Sequence, residues 1–174
     1  MADPGDASGG GWRETVRVQP WGPPPALRPL KPGAAAELAD VYRGVEAALA
    51  SVAPACKACG ECCRFGPDRP VLFASALELA YLVSAAGPPT AAGAVPPGGP
   101  DAPWRCPYQA GDLCTAREAR TLGCRTYFCR ADARQEGERA YADAFRRIRE
   151  VSDAAGYPWW YGPARLFFEA AAGR

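Results

Sequence analysis

The sequence predicts one small domain, mainly α with short β segments and irregular loops, and three observations predict it. Apolar residues recur at helical spacing in separate stretches, and Gly/Pro-rich connectors unable to sustain a helix or a central strand lie between them. Four of the eight cysteines are gathered in residues 56–63, and the rest of the chain reads as support for the site they mark. A chain of 174 residues accommodates one such domain plus a tail, not two well-cored domains. The hydrophobic share of 48 % is ample, but alanine supplies much of it, so the core must lean on aromatic residues.

Residues 1–33 are rich in Gly, Pro and Ala, ending in WGPPPALRPLKPG, and are predicted to form a disordered leader. The alternation Thr15, Val16, Arg17, Val18 is the one hint of a strand there. Residues 34–170 form the predicted domain, with its core at 56–129 and a C-terminal helix and aromatic segment at 135–170. Within it, Leu38, Val41, Tyr42, Val45, Leu49 and Val52 mark an amphipathic helix over 34–52, stopped by Pro54. That helix delivers the chain to Cys56 in a set direction.

Val71, Leu72 and Phe73 read as a short strand, and Ser75 with Glu78 forms a capping box opening a helix over 76–86. Apolar residues surround that helix, so it should be well buried. Residues 87–103 form a loop, and WRCPYQAGDLC follows as two extended pieces about a turn at 110–112, with Cys106 and Cys114 at its ends. A helix is predicted over 115–122, ended by Gly123. Another runs over 135–155 with Tyr141, Phe145, Ile148 and Val151 on one face and balanced charges on the other, closed by Gly156. The dense aromatics from Tyr157 to Phe168 are expected to pack over the cysteine region.

Lys plus Arg of 20 against Asp plus Glu of 19 provides no bulk field for nucleic acid or an anionic membrane. The opening MADPGDASGGGW has no basic and apolar signal, and the longest apolar run falls short of the roughly 20 residues of a spanning helix. The expected location is cytoplasmic, where eight cysteines serve metals or redox chemistry more readily than structural disulfides.

Half the cysteines lie in CKACGECC, residues 56–63. In CxxC, two intervening residues let a turn bring both sulfurs to one ion, and Gly60 behind it can take a positive φ and aim an amide at a thiolate. Cys56, Cys59 and Cys62 make CxxCxxC, a run typical of iron–sulfur ligation. Adjacent side chains diverge, so Cys63 is expected to serve a second centre, a bridge within a polynuclear cluster, or a free thiol. Cys106, Cys114, Cys124 and Cys129 are not spaced as a zinc ribbon, and the two halves are expected to interleave. Gly66 and Pro67 stand where a simple ferredoxin continues to its next cysteine, which disfavours that fold. With no histidine in the chain, His-based metal catalysis and Ser-His or Cys-His nucleophiles are excluded. Arg120 and Arg125 flank the cysteines and are expected to offset thiolate charge at the bound centre.

CKACGECC followed by CPYQAGDLCTAREARTLGCRTYFC resembles the YkgJ-like cysteine-cluster family, a zinc- or iron-chelating CxxCxxCC domain. The resemblance covers residues 56–129, with Arg120 and Arg125 at matching positions and departures at Arg117, Thr121, Tyr127 and Phe128. It implies a metal-stapled domain in which Cys56, Cys59, Cys62, Cys63, Cys106, Cys114, Cys124 and Cys129 hold an iron–sulfur cluster, the four-iron type favoured, or zinc. The expectation is a metal-binding module with an adaptor or redox protein as partner; the alternative is a redox-active subunit or electron carrier of an oxidoreductase. No catalytic constellation stands beyond the cysteines.

Overall fold

A computed structural model describes residues 22–52, 58–69, 71–89, 102–127 and 134–172. Helix α1 spans Pro32–Leu49, with proline in its first turn where no amide partner is needed. After a 3-10 turn at Glu61–Cys63 come β1 (Arg64–Phe65), β2 (Phe73–Ser75) and α2 (Ala76–Ala86). Strands β3 (Trp104–Arg105), β4 (Gln109–Ala110) and β5 (Leu113–Cys114) lead to a 3-10 turn at Arg117–Ala119. Then follow α3 (Leu122–Thr126), α4 (Arg134–Ala154), β6 (Tyr161–Pro163) and α5 (Ala164–Ala172). The mainly α class with short strands is therefore observed.

Each strand finds one antiparallel partner. Arg64 and Phe65 pair with Arg105 and Trp104; Phe73, Ala74 and Ser75 pair with Pro163, Gly162 and Tyr161; Gln109 and Ala110 pair with Cys114 and Leu113. These ribbons are too short to be stable alone and depend on the helices behind them.

Two apolar clusters result. In the first, Leu38, Val41, Tyr42, Val45 and Leu49 of α1 pack with Ile148 and Val151 of α4 and Leu77 of α2. In the second, Phe65, Trp104, Tyr108, Phe167 and Phe168 join Leu72, Leu79 and Leu82, with Cys106, Cys114 and Cys124 packed against them. Helix α2 serves both clusters from opposite sides, which is why its sequence lacks a clean polar face.

Three sequence expectations change. The helix over 115–122 is a 3-10 turn at Arg117–Ala119 followed by extended backbone at Arg120 and Thr121, and α3 begins only at Leu122. Gly123 thus lies inside α3 rather than closing a helix: a Cβ there would stand 3.3 Å from the Phe73 carbonyl oxygen, so its value is close approach to β2. From the predicted leader, residues 22–31 carry no regular secondary structure but lie against the body of the domain. Leu27 and Leu30 pack on the core, and the Arg28 amide donates to the Tyr157 hydroxyl at 3.0 Å. The suggested strand at 15–18 and most of the loop over 87–103 lie outside the described residues.

Candidate metal centre

The cysteine region is assembled from three stretches that backbone hydrogen bonds bring together. Gly60 has φ +70, and a Cβ at this position would stand 3.0 Å from Asp112 Cα, so glycine is needed for both conformation and space. The Gln109 side-chain amide donates to the Gly60 carbonyl at 3.2 Å, fastening this loop to the β4–β5 hairpin. Immediately after, the Cys106 amide donates to the Cys63 carbonyl at 2.9 Å as the β1–β3 ladder closes. The halves of the sequence therefore interleave.

All six described cysteines, Cys59, Cys62, Cys63, Cys106, Cys114 and Cys124, are free thiols. Cys56 and Cys129 lie outside the described residues. Cys62 Sγ and Cys63 Sγ are 3.9 Å apart within the 3-10 turn. The divergence expected of adjacent residues therefore does not keep these two sulfurs apart. Cys63 is buried and its thiol also faces Cys106 and Cys114, and this ring of sulfur neighbours drives its pKa up. Conversely, the hydrogen bond with Cys63 draws Cys62 and Cys114 down to about 6 and lowers Cys106 as well.

Beside these sulfurs is a cavity of about 20 Å³, lined by Cys106, Cys114 and Cys124 together with Leu72, Leu79 and Phe168. Cys124 is desolvated there, which raises its thiol to about 12, and the Thr121 hydroxyl donates to it at 3.5 Å. Among the described residues no three cysteine, aspartate or glutamate side chains already enclose a single ion position. Cys62, Cys106 and Cys114 are instead gathered around Cys63.

The two arginines read from the sequence take different places. Arg120 lines the cavity, and its charge favours the thiolates of Cys62 and Cys114. Arg125 turns towards the helical layer: it lies over the Tyr42 ring at 4.1 Å, pairs with Glu46, and donates to the carbonyls of Arg120 and Glu118. In that position it clamps the segment carrying Arg120 onto α1.

Glu78 has a second role beyond its capping box. Its Oε2 accepts from the Ser75 amide and hydroxyl, both at 2.8 Å, while Oε1 accepts from the Leu122 amide at 2.7 Å and the Tyr42 hydroxyl at 3.3 Å. One buried carboxylate thus caps both α2 and α3, the latter carrying Cys124. Sequence spacing reveals the first cap but not the second. Thr121, three residues before Cys124, carried a local signal as a hydroxyl within reach of a thiol.

No family model, curated protein or solved structure matches this chain. Among the described residues no helix is long and apolar enough to cross a membrane.

Proposed function

We propose that this chain is a cytoplasmic metal-binding protein of the YkgJ-like cysteine-cluster kind, chelating an iron–sulfur cluster or zinc through its cysteine constellation. The observation that carries the proposal is the gathering of cysteines from separate stretches of chain: Cys62, Cys106 and Cys114 around Cys63, with Cys106 and Cys114 also lining a small cavity together with Cys124. A thiol-only donor set suits soft ions and iron–sulfur clusters, and does not suit magnesium or calcium. The cavity is about the size of one water-sized atom, and Arg120 beside it offsets negative charge that thiolates would bring.

Those five cysteines would hold the centre, with Cys59 at its surface edge and Cys56 and Cys129 completing the set by resemblance. An iron–sulfur cluster would supply one-electron chemistry; zinc would supply a structural cross-link. Metal and acid-labile sulfide assays with a visible spectrum, on protein purified without air, test the proposal. Iron with sulfide and brown colour identifies a cluster, colourless zinc-loaded protein identifies a zinc centre, and metal-free protein with eight titratable thiols refutes both.

One observation favours the redox reading as the second: Cys59 and Cys62 are exposed, so the edge of the centre reaches the surface where a partner could exchange electrons. Reversible bleaching of the visible band on reduction separates an electron carrier from a structural centre.

A further inference from the structure

Cys63 has one sulfur neighbour along the chain and another across it. Along the chain is Cys62, its Sγ 3.9 Å away. Across it is Cys106: Arg64 faces Arg105 and Phe65 faces Trp104 in the β1–β3 pair, so one step back the same register sets Cys63 opposite Cys106. The Cys106 amide donates to the Cys63 carbonyl at 2.9 Å, which marks a hydrogen-bonded position of an antiparallel pair, where Cα atoms stand about 5.5 Å apart. Directly opposite side chains share one face of the ribbon, and the Cys63 thiol faces that of Cys106. Disulfides span Cα separations of roughly 4.4–6.8 Å, so the cross-strand pair can be bridged without moving the backbone; adjacent residues, about 3.8 Å apart, fall below that range and give a strained ring. Cys114 also faces Cys63, but its ladder partner is Gln109 in the β4–β5 hairpin.

We propose that Cys63 and Cys106 are a redox-active dithiol that closes to a disulfide across the β1–β3 ribbon, with exposed Cys62 as the thiol through which a small disulfide oxidises them. This goes beyond metal binding, concerns the metal-free chain and does not depend on that proposal. Cys62 attacks the small disulfide, RSSR, releasing one RSH and keeping the other half as a mixed disulfide. Cys63 then attacks Cys62 Sγ, expels the second RSH and forms the strained vicinal bond. Cys106 attacks Cys63 Sγ, the vicinal bond breaks, and Cys62 recovers its thiol. Two electrons pass from the Cys63 and Cys106 sulfurs to RSSR, their two protons leave with the two RSH, and relief of ring strain drives the last exchange.

The test uses the full-length protein, reduced and freed of metal by chelation, in mixtures of oxidised and reduced glutathione, with free thiols alkylated at timed intervals and linkages mapped by mass spectrometry. Trypsin leaves Cys62 and Cys63 in residues 58–64 and Cys106 and Cys114 in residues 106–117, so a cross-strand bond joins two peptides and a vicinal one does not. Fragmentation then identifies the sulfurs. The expected product is a Cys63–Cys106 disulfide that persists in Cys114→Ser and loses its preference over other pairings in denaturant, because the ladder sets it. Cys62→Ser should slow its formation at least about tenfold and leave the linkage unchanged. A vicinal end product, a Cys63–Cys114 bond, or mixed glutathione disulfides without an internal bond would overturn the assignment, and an unchanged rate in Cys62→Ser would overturn the relay through Cys62. Zinc uptake by the same reduced preparation tests the metal-binding proposal separately.

Discussion

Gly60 and Glu78 show how single residues set the geometry of the cysteine region. At φ +70, a side chain at position 60 meets a left-handed conformation costing about 1–2 kcal/mol, and the approach of Asp112 adds to it. Gly60→Ala should therefore displace the 59–63 loop from the hairpin, read as lowered cadmium or zinc affinity together with a lower melting temperature. Glu78 accepts two donors on each oxygen, so an amide in its place must turn its NH2 towards groups that also donate. Glu78→Gln should cost about 1.5–3 kcal/mol in denaturant unfolding. Burial is the largest influence on this carboxyl and pushes it above the ordinary range, so the folded chain holds a proton where the unfolded chain has lost it. Its contribution is complete below the unfolded value and declines as pH rises through the folded one. The glutamine variant should flatten that part of the stability profile, and an unchanged profile would assign the slope to another group.

At the scale of elements, the 3-10 turn at Glu61–Cys63 and the short helix α3 are each held by something distant in sequence. The turn is secured by ladder bonds to β3 and by Arg64 and Arg69, which pair with Glu61 at 2.8 Å. Helix α3 is secured by Glu78 from α2 and by Arg125, whose side chain is only 4 % exposed. Arg125→Lys keeps the charge but loses the planar fork that reaches two carbonyls, Glu46 and the Tyr42 ring together. The expected cost is about 1–3 kcal/mol, with a parallel weakening of metal retention because Arg120 and Cys124 ride on the clamped segment. A variant that loses stability but retains metal as the unaltered protein does would show that the clamp does not position the centre. The helix expected over 115–122 failed for a related reason. Thr115, Arg117 and Glu118 permit a helix, but the segment must stay extended at Arg120 and Thr121 to bring Leu122 onto Glu78.

For the whole molecule, the consequential feature is the separation of the helical cluster from the aromatic one beneath the cysteines. Trp104 stacks on Phe65 with ring centroids 4.3 Å apart and leans on Phe168 at 5.9 Å, so one of two aromatic groups lies next to the proposed centre, the other being Tyr141, Phe145, Trp159 and Tyr161 on the helical side. Stripping metal should reduce the near-ultraviolet circular dichroism in part and lower the melting temperature, while the share from the helical-side aromatics and much far-ultraviolet helicity from α1 and α4 survive. Equal loss in both regions would show that the two clusters unfold as one. Ile148→Ala, in the helical cluster and fully buried, should cost about 2–5 kcal/mol yet leave cadmium stoichiometry unchanged.

By itself, the sequence determined the elements whose signals are local. Helical periodicity located α1 and α4, and the Ser75 and Glu78 spacing located the start of α2. Cysteine spacing together with Gly60 marked the candidate centre, and the positive φ there is the conformation only glycine adopts without strain. Tertiary structure alone decided which sulfurs meet, since Cys63 lies far along the chain from Cys106 and Cys114 and only ladder pairing sets that register. It also decided that Arg125 faces the helices while Arg120 faces the cavity, and that one glutamate caps two helices. These are contacts between segments, where the direction of a side chain depends on what the rest of the chain packs against it.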